Sequence, residues 1–249
     1  MRKKRLRMFA GPNGSGKSEL INELGEREIP LGPLVNADII AKKLKEAGFL
    51  DLSEYKLKQI TQSDWEHAKE SIPELISRID RIGQIPDIQI KENILVYKTE
   101  NSENYVSALV ADFLRHMMVE QGISFSFETV MSHEAKIYFL EFAKDKGYIT
   151  YLYFIATESP EINIARVENR VAKGGHDVQR KKIKERYFRS LDFLLNALKI
   201  ADRAFLIDNS KKSNFVILEK KYDGMGYPKI ETMPNWFMEY VVKKLESQQ

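Results

Sequence analysis

Cysteine is absent from this 249-residue chain, which excludes disulfides, thiolate metal sites and dithiol redox chemistry and suits a reducing compartment such as the cytoplasm. Neither sign of charge dominates. The 39 Lys and Arg face 36 Asp and Glu, a net charge of +3, too little for a global field that would draw in nucleic acid, although local arginine clusters could still hold phosphate. Long hydrophobic runs are missing too. The basic start "MRKKRLRMFAGPNG" has only "MFA" ahead of its first glycine, far short of a signal-peptide core, and no stretch approaches a charge-free span of about 18 residues. The chain is therefore expected to be cytoplasmic, with no membrane partner. No internal repeat and no low-complexity segment is present.

What the chain does have is 43% apolar residues, ample for a buried core, arranged as short apolar runs alternating with helical periodicities. That alternation favours a parallel sheet flanked by helices. Five runs read as strands: "RLRMFA" (5–10), "PLVNA" (33–37), "ISFSFE" (123–128), "ITYLYFIA" (149–156) and "RAFLID" (203–208). Helices are predicted over 18–24, 132–146, from Pro160 behind a Ser159 N-cap, and over 181–201. Residues 51–102 break the alternation and read as an insertion, with a helix around 64–82 and alternating Ile88/Ile90 and Ile94/Val96 around Glu92-Asn93. The tail from about 211 to 249 reads as a hairpin turning at Asp223-Gly224 and a closing amphipathic helix over 236–245. The expectation is one α/β domain over 1–249, a three-layer sandwich around a five-stranded, mainly parallel sheet of order 2-3-1-4-5, with that insertion and that C-terminal appendage.

The first strand runs straight into "GPNGSGKS", Gly11 to Ser18, a match to the P-loop pattern in the strand-to-helix context it requires. The loop of Gly11, Pro12, Asn13, Gly14, Ser15 and Gly16 would wrap a polyphosphate with the backbone N–H groups of its residues other than proline, Lys17 would supply a point charge, and the Ser18 hydroxyl could ligate Mg²⁺. Such a site also wants a carboxylate near the metal, and two strands end in acids, Glu128 and Asp208. Strand order favours Glu128, whereas Asp208-Asn209-Ser210 would open a loop near the nucleobase, Asn209 included.

A second substrate needs its own groups. Asp38 of "NADIIA" stands at the carboxyl edge of the sheet, either as an N-cap or as a general base for an attacking hydroxyl. Behind Pro160, Asn163, Arg166 and Arg170 recur on one helical face beside Ile164, Val167 and Val171. Two arginines on one face could neutralise a transferring phosphoryl group, or simply be solvated. "KGGHD" then reads as a flexible bend beside His176, and Arg186 and Arg189 follow on the next helix.

In order along the chain, "AGPNGSGKS", "NADIIA", "FSFETVMSHEAK", "GYITYLYFIATESPEINIARVENRVAKGGHDV", "KERYFRSL" and "DNS" resemble the zeta toxin family of P-loop kinases, from about Arg5 to Ser210. The resemblance implies a cytoplasmic kinase that uses ATP or GTP with Mg²⁺ to phosphorylate a hydroxyl of a small activated sugar such as a UDP-amino sugar; an antitoxin-like protein is a candidate partner, above all if the chain is a binding module or switch. It implies Asp38 as catalytic base, Glu128 and Thr129 of "FET" as substrate contacts, Lys17 as P-loop lysine and Arg166 with Arg170 as the phosphate clamp. Glu19 replaces the second small hydroxyl residue of many P-loops, and the insertion and the "GGHDV" lid resemble a chromosomal branch of the family. Two other functions stand beside the kinase: a nucleotide-dependent binding module in which Asp38 only caps a helix, and a polynucleotide 5′-hydroxyl kinase, against which the sequence shows no basic stripe interleaved with aromatics.

Overall fold

The computed structural model describes residues 3–83, 86–97, 103–175, 177–211, 215–222, 224–226 and 233–247. Its elements in chain order are β1 (Arg5–Ala10), α1 (Lys17–Glu26), β2 (Leu34–Val35), α2 (Ala37–Ala47), β3 (Phe49–Asp51), α3 (Gln62–Ser71), α4 (Pro73–Ile82), β4 (Ile88–Lys91), β5 (Ile94–Tyr97), α5 (Glu103–Glu120), β6 (Phe125–Thr129), α6 (Ala135–Asp145), β7 (Ile149–Ala156), α7 (Pro160–Ala172), α8 (Arg180–Asp192), α9 (Leu194–Ile200), β8 (Arg203–Asp208), β9 (Phe215–Lys221) and β10 (Gly224–Met225). A terminal helix follows in three consecutive segments, Asn235–Phe237, Met238–Val242 with π geometry, and Lys243–Glu246. The chain divides into two compact units, residues 31–127 and residues 1–30 with 128–249.

In the unit that holds both termini, β7 pairs in parallel with β1 on one side and β8 on the other, and β9 and β10 extend the sheet in antiparallel. This is the 1-4-5 part of the expected order. The residues of β1 from Leu6 to Ala10, and Leu152 and Phe154 of β7, are buried, as expected for a strand hydrogen-bonded on both sides and covered by helices. Both α6 and α9 pack on β7, and α7, α8 and α9 pack in succession. The predicted helix over 181–201 is interrupted only at Phe193, whose N–H still reaches Arg189 O at 3.4 Å. The tail hairpin joins β9 to β10 at Lys221 and Gly224; Asp223, placed at its turn, lies outside the described residues.

In the other unit, β2 pairs in parallel with β6, Leu34 opposite Ser126 and Val35 opposite Phe127, which is the 2-3 part of the order. The insertion is more structured than one helix and a hairpin. A three-stranded antiparallel sheet, β3-β5-β4, is unpredicted in its first strand, while its hairpin turns at Glu92 and Asn93, both at positive φ (51° and 64°), the twist a two-residue hairpin needs. The helix predicted over 64–82 is two helices, because Ile72 precedes Pro73 and takes an extended conformation (φ −93°, ψ 113°). Thr61 and Asp64 form a capping box at the start of α3. Trp65 meets Phe113 edge-to-face at 5.3 Å in the core beneath α5. In the same unit Asp112, fully buried, is paired with both Arg78 and Arg115, and His116 Nε2 stands 3.6 Å from Glu74.

Candidate nucleotide and phosphate site

Between β1 and α1 the loop Gly11–Gly16 turns tightly enough that side chains at its glycines would collide with fixed atoms. A Cβ on Gly14, at φ 76°, would lie 2.6 Å from Asn163 O of α7, and one on Gly16, at φ 99°, 2.2 Å from Asn209 Nδ2. These residues must be glycine both for their dihedral angles and for the close approach. The Lys17 ammonium, 6% exposed, donates to Gly11 O and Pro12 O, each at 2.9 Å, and stands 3.8 Å from Glu128 Oε1. Ser18 Oγ donates to Glu128 Oε2 at 3.2 Å. The end of β6 thus brings its carboxylate to the P-loop, as expected of Glu128.

The other acid has a different use. Asp208 is buried, accepts from Ser210 N at 2.9 Å and Ser210 Oγ at 3.0 Å, and takes the Trp236 Nε1–H at 2.8 Å. Its neighbour Asn209, expected near a nucleobase, is buried and gives its side-chain donor to the P-loop itself, Nδ2 to Ser15 O at 2.8 Å. Thr129 Oγ1 accepts from Met131 N at 3.0 Å and shapes the turn behind the strand, where Met131 has φ 55°.

The polar stripe read on α7 divides. Asn163 is fully buried, not beside the arginines on the outer face: its Nδ2 donates to Asn13 O at 2.7 Å and its Oδ1 accepts from Thr157 Oγ1. Arg166 is half-buried and Arg170 exposed. Nor is Gly174-Gly175 a flexible bend. Gly175 N bonds Arg170 O at 3.0 Å and Gly174 N bonds Val171 O at 2.9 Å, the paired bonds of a Schellman helix stop. His176 lies outside the described residues. Below α7, Tyr187 donates to Thr157 O at 2.6 Å, and burial pushes its phenol well above the usual tyrosine range.

Asp38 belongs to the unit of residues 31–127, and there its capping role is overturned. Asn36 is the N-cap of α2, its Oδ1 accepting from Asp38 N at 2.8 Å and Ile39 N at 3.2 Å. Asp38 sits exposed in the first turn behind it, where its carboxylate suits the helix dipole but is not the cap.

The P-loop suits a polyphosphate on three observations. Its helix α1 starts at Gly16 with no side-chain cap, leaving first-turn N–H groups for an anion. Ser15 Oγ and Asn13 Oδ1 are buried without a hydrogen-bond partner, and a buried polar atom left unsatisfied is costly. Ser18 and Glu128 offer adjacent hard oxygen atoms, enough for Mg²⁺, which keeps several waters and takes one or two protein ligands. Among the described residues no helix is long and apolar enough to cross a membrane. The bracing role of Asn163 and Asn209 escaped the sequence reading, which grouped Asn163 with Arg166 and Arg170 and placed Asn209 near the nucleobase. An Asn in a helix interior is unfavourable unless its amide is used, and that was the available signal for Asn163.

No known protein-family profile matches the chain. A protein of Haemophilus influenzae, described as uncharacterized, is 35% identical over 74 residues, 30% of this chain and 53% of that protein, so the match spans about half of that relative's length. The solved complex AvrRxo1-ORF1:AvrRxo1-ORF2 with sulphate ions has a TM-score of 0.55 at 12% identity, over 98% of this chain and 63% of that chain. AvrRxo1-ORF1:-ORF2 with ATP gives 0.52 at 13% identity, over 98% of this chain and 71% of that one. The PezAT chromosomal toxin-antitoxin system of Streptococcus pneumoniae aligns over 100% of this chain and 84% of that chain, at 14% identity and a TM-score of 0.48, too low to carry weight. At these identities the likeness is one of fold alone, α/β with a mainly parallel sheet.

Proposed function

We propose that this chain is a kinase that transfers the γ-phosphate of ATP, or GTP, to a hydroxyl group of a small molecule, a UDP-amino sugar being the acceptor class that the family resemblance suggests. The observation that carries the proposal is the P-loop itself, with buried Lys17 across Gly11 O and Pro12 O and the Ser18 hydroxyl bonded to Glu128 at the uncapped start of α1. The solved AvrRxo1-ORF1:-ORF2 structure with ATP supports a nucleoside triphosphate as donor.

In this reading the backbone of Gly11–Gly16 cradles the phosphates and Lys17 neutralises them. Ser18 and Glu128 would hold Mg²⁺, which would withdraw charge from the phosphate oxygens when bound. Asp38 accepts the proton of the acceptor hydroxyl as its oxygen bonds to the γ-phosphorus and the bond from that phosphorus to the β-phosphate oxygen breaks, leaving ADP. Arg166 and Arg170 balance the charge that spreads over the transferring group. Glu128 and Thr129 end the strand proposed to face the acceptor. The replacement of Asp38 by Asn36 as helix cap favours catalysis over the binding-module reading, which needed Asp38 as a structural residue. Residues 1–249 then act as one catalytic domain, and the AvrRxo1-ORF1:-ORF2 complexes support an antitoxin-like protein as partner.

The test is untargeted: the protein is incubated with γ-labelled ATP and a cell extract, and labelled products are identified by mass. A labelled phosphomonoester of a small molecule is the expected result. Label found only in inorganic phosphate contradicts transfer, and label on polynucleotide 5′ ends replaces this acceptor class with another.

A further inference from the structure

The segments that follow neighbouring strands β7 and β8 each send one asparagine to the P-loop, Asn163 from α7 and Asn209 from the loop directly after β8. From the β7 side, Asn163 Nδ2 bonds Asn13 O at 2.7 Å; from the β8 side, Asn209 Nδ2 bonds Ser15 O at 2.8 Å. A peptide plane is rigid and trans, so its N–H points opposite to its C=O. Fixing Asn13 O and Ser15 O outward therefore fixes the Gly14 and Gly16 N–H groups in the opposite sense, away from the two braces.

Both braces are tied to the start of the terminal helix. Glu158, in the loop after β7, accepts from Asn235 N at 3.1 and 3.2 Å and from Asn235 Nδ2. Asp208, at the end of β8 and next to Asn209, accepts from Trp236 Nε1 at 2.8 Å. Ser210 couples the two sides, accepting from Glu158 N at 2.8 Å and donating to Asp208 Oδ2 at 3.0 Å. Trp236 is 2% exposed and packs against Phe154 of β7. Residues 235–236 thus hold, through two acids, the loop that leads into α7 with Asn163 and the loop that carries Asn209.

We propose that the terminal helix positions the P-loop for nucleotide, with Asn163 and Asn209 as positioning residues and Trp236 and Asn235 as their anchor, so that displacement of this helix lowers nucleotide affinity without touching a phosphate-contacting group. The proposal rests on the nucleotide-binding reading of the P-loop. It makes the C-terminal appendage a handle for regulating that site.

The test uses the full chain carrying Trp236→Phe, which keeps an apolar ring but removes the N–H, and Asp208→Asn, whose NH2 opposes at least one of the donors Ser210 N, Ser210 Oγ and Trp236 Nε1 that the carboxylate accepts. Amide hydrogen exchange is followed over 11–18 without nucleotide, with α6 as internal control, and ATP-Mg²⁺ affinity is measured well below each variant's Tm. Each variant should exchange faster over 11–18 than the wild type, with α6 unchanged, and should bind ATP about five- to tenfold more weakly, the scale of one lost hydrogen bond. Asn209→Ala added to Trp236→Phe should weaken binding little further, because both act on one path. Unchanged exchange over 11–18 in both variants, or fully additive losses of affinity, would overturn the proposal. Failure of the wild type to bind ATP would overturn the nucleotide reading, while the exchange measurement would still decide whether the helix holds the loop.

Discussion

Asp38 follows a residue that caps α2 and does not cap it itself, so the two neighbours divide roles that local sequence could not separate. Asn36→Ala removes the acceptor used by Asp38 N and Ile39 N and should cost about 1 kcal/mol in chemical denaturation, whereas Asp38→Asn should leave the denaturation midpoint almost unmoved. Equal losses for the two would return Asp38 to a structural role. Lys17→Ala tests the P-loop. ATP-Mg²⁺ at about 100 times its Kd should stabilise the wild type by roughly 2.7 kcal/mol, read as a shift in Tm; an undiminished shift in the variant would contradict the role given to Lys17. Elsewhere, Asp112→Ala would leave Arg78 and Arg115 facing each other in the core and should cost about 3–5 kcal/mol. The sequence made Lys17 and Ser18 legible because a P-loop is a contiguous pattern. Asp112, Arg115 and Arg78 were not legible, because residues 34 apart met across two helices whose packing no local pattern specifies.

The α7 helix shows how an element can be placed correctly and its faces read wrongly. Its start at Pro160 was legible from Ser159-Pro160, yet Asn163 was grouped with Arg166 and Arg170 by spacing alone, and spacing does not tell a polar group facing water from one satisfied inside. Arg166→Ala and Arg170→Ala should each lower phosphoryl transfer far more than stability, because charges on an outer helical face contribute little to folding; wild-type turnover in both would make them ordinary surface residues. A second junction between elements responds to pH. Asp202, between α9 and β8, accepts from Thr150 N at 2.8 Å and Thr150 Oγ1 at 2.9 Å and lies 3.2 Å from Lys144. Burial raises its pKa, but those bonds and the lysine outweigh it and hold the carboxyl below the ordinary range. A native pKa below the unfolded one gives stability that is present above the unfolded value and lost as pH falls through the native one. The urea midpoint of Asp202→Asn should therefore lie below that of the wild type at neutral pH, with the gap closing as pH falls below about 4. A gap that persists in acid would place the effect in packing.

At the scale of the molecule, the strands β1, β7 and β8 were legible to the residue because each is a buried apolar run ending at a turn or glycine. The insertion was less so: β3 is three residues long, too short to show alternation, and α5 lies just past the boundary where the alternating pattern was sought. Pro73 split one predicted helix into two by a rule that was available. The phosphate cradle was complete in the sequence, while its bracing was not, since Asn163 and Asn209 reach it from 150 and 194 residues away and Trp236 bonds Asp208 beside Asn209. The proposed function assigns phosphoryl transfer to one carboxylate and one P-loop, and one paired measurement tests that directly. Wild type and Asp38→Asn are compared for ATP-Mg²⁺ affinity and for transfer of the γ-phosphate to the acceptor found in cell extract. The account predicts equal affinities and a transfer rate reduced by roughly 10²- to 10⁴-fold in the variant; full transfer by Asp38→Asn would contradict it.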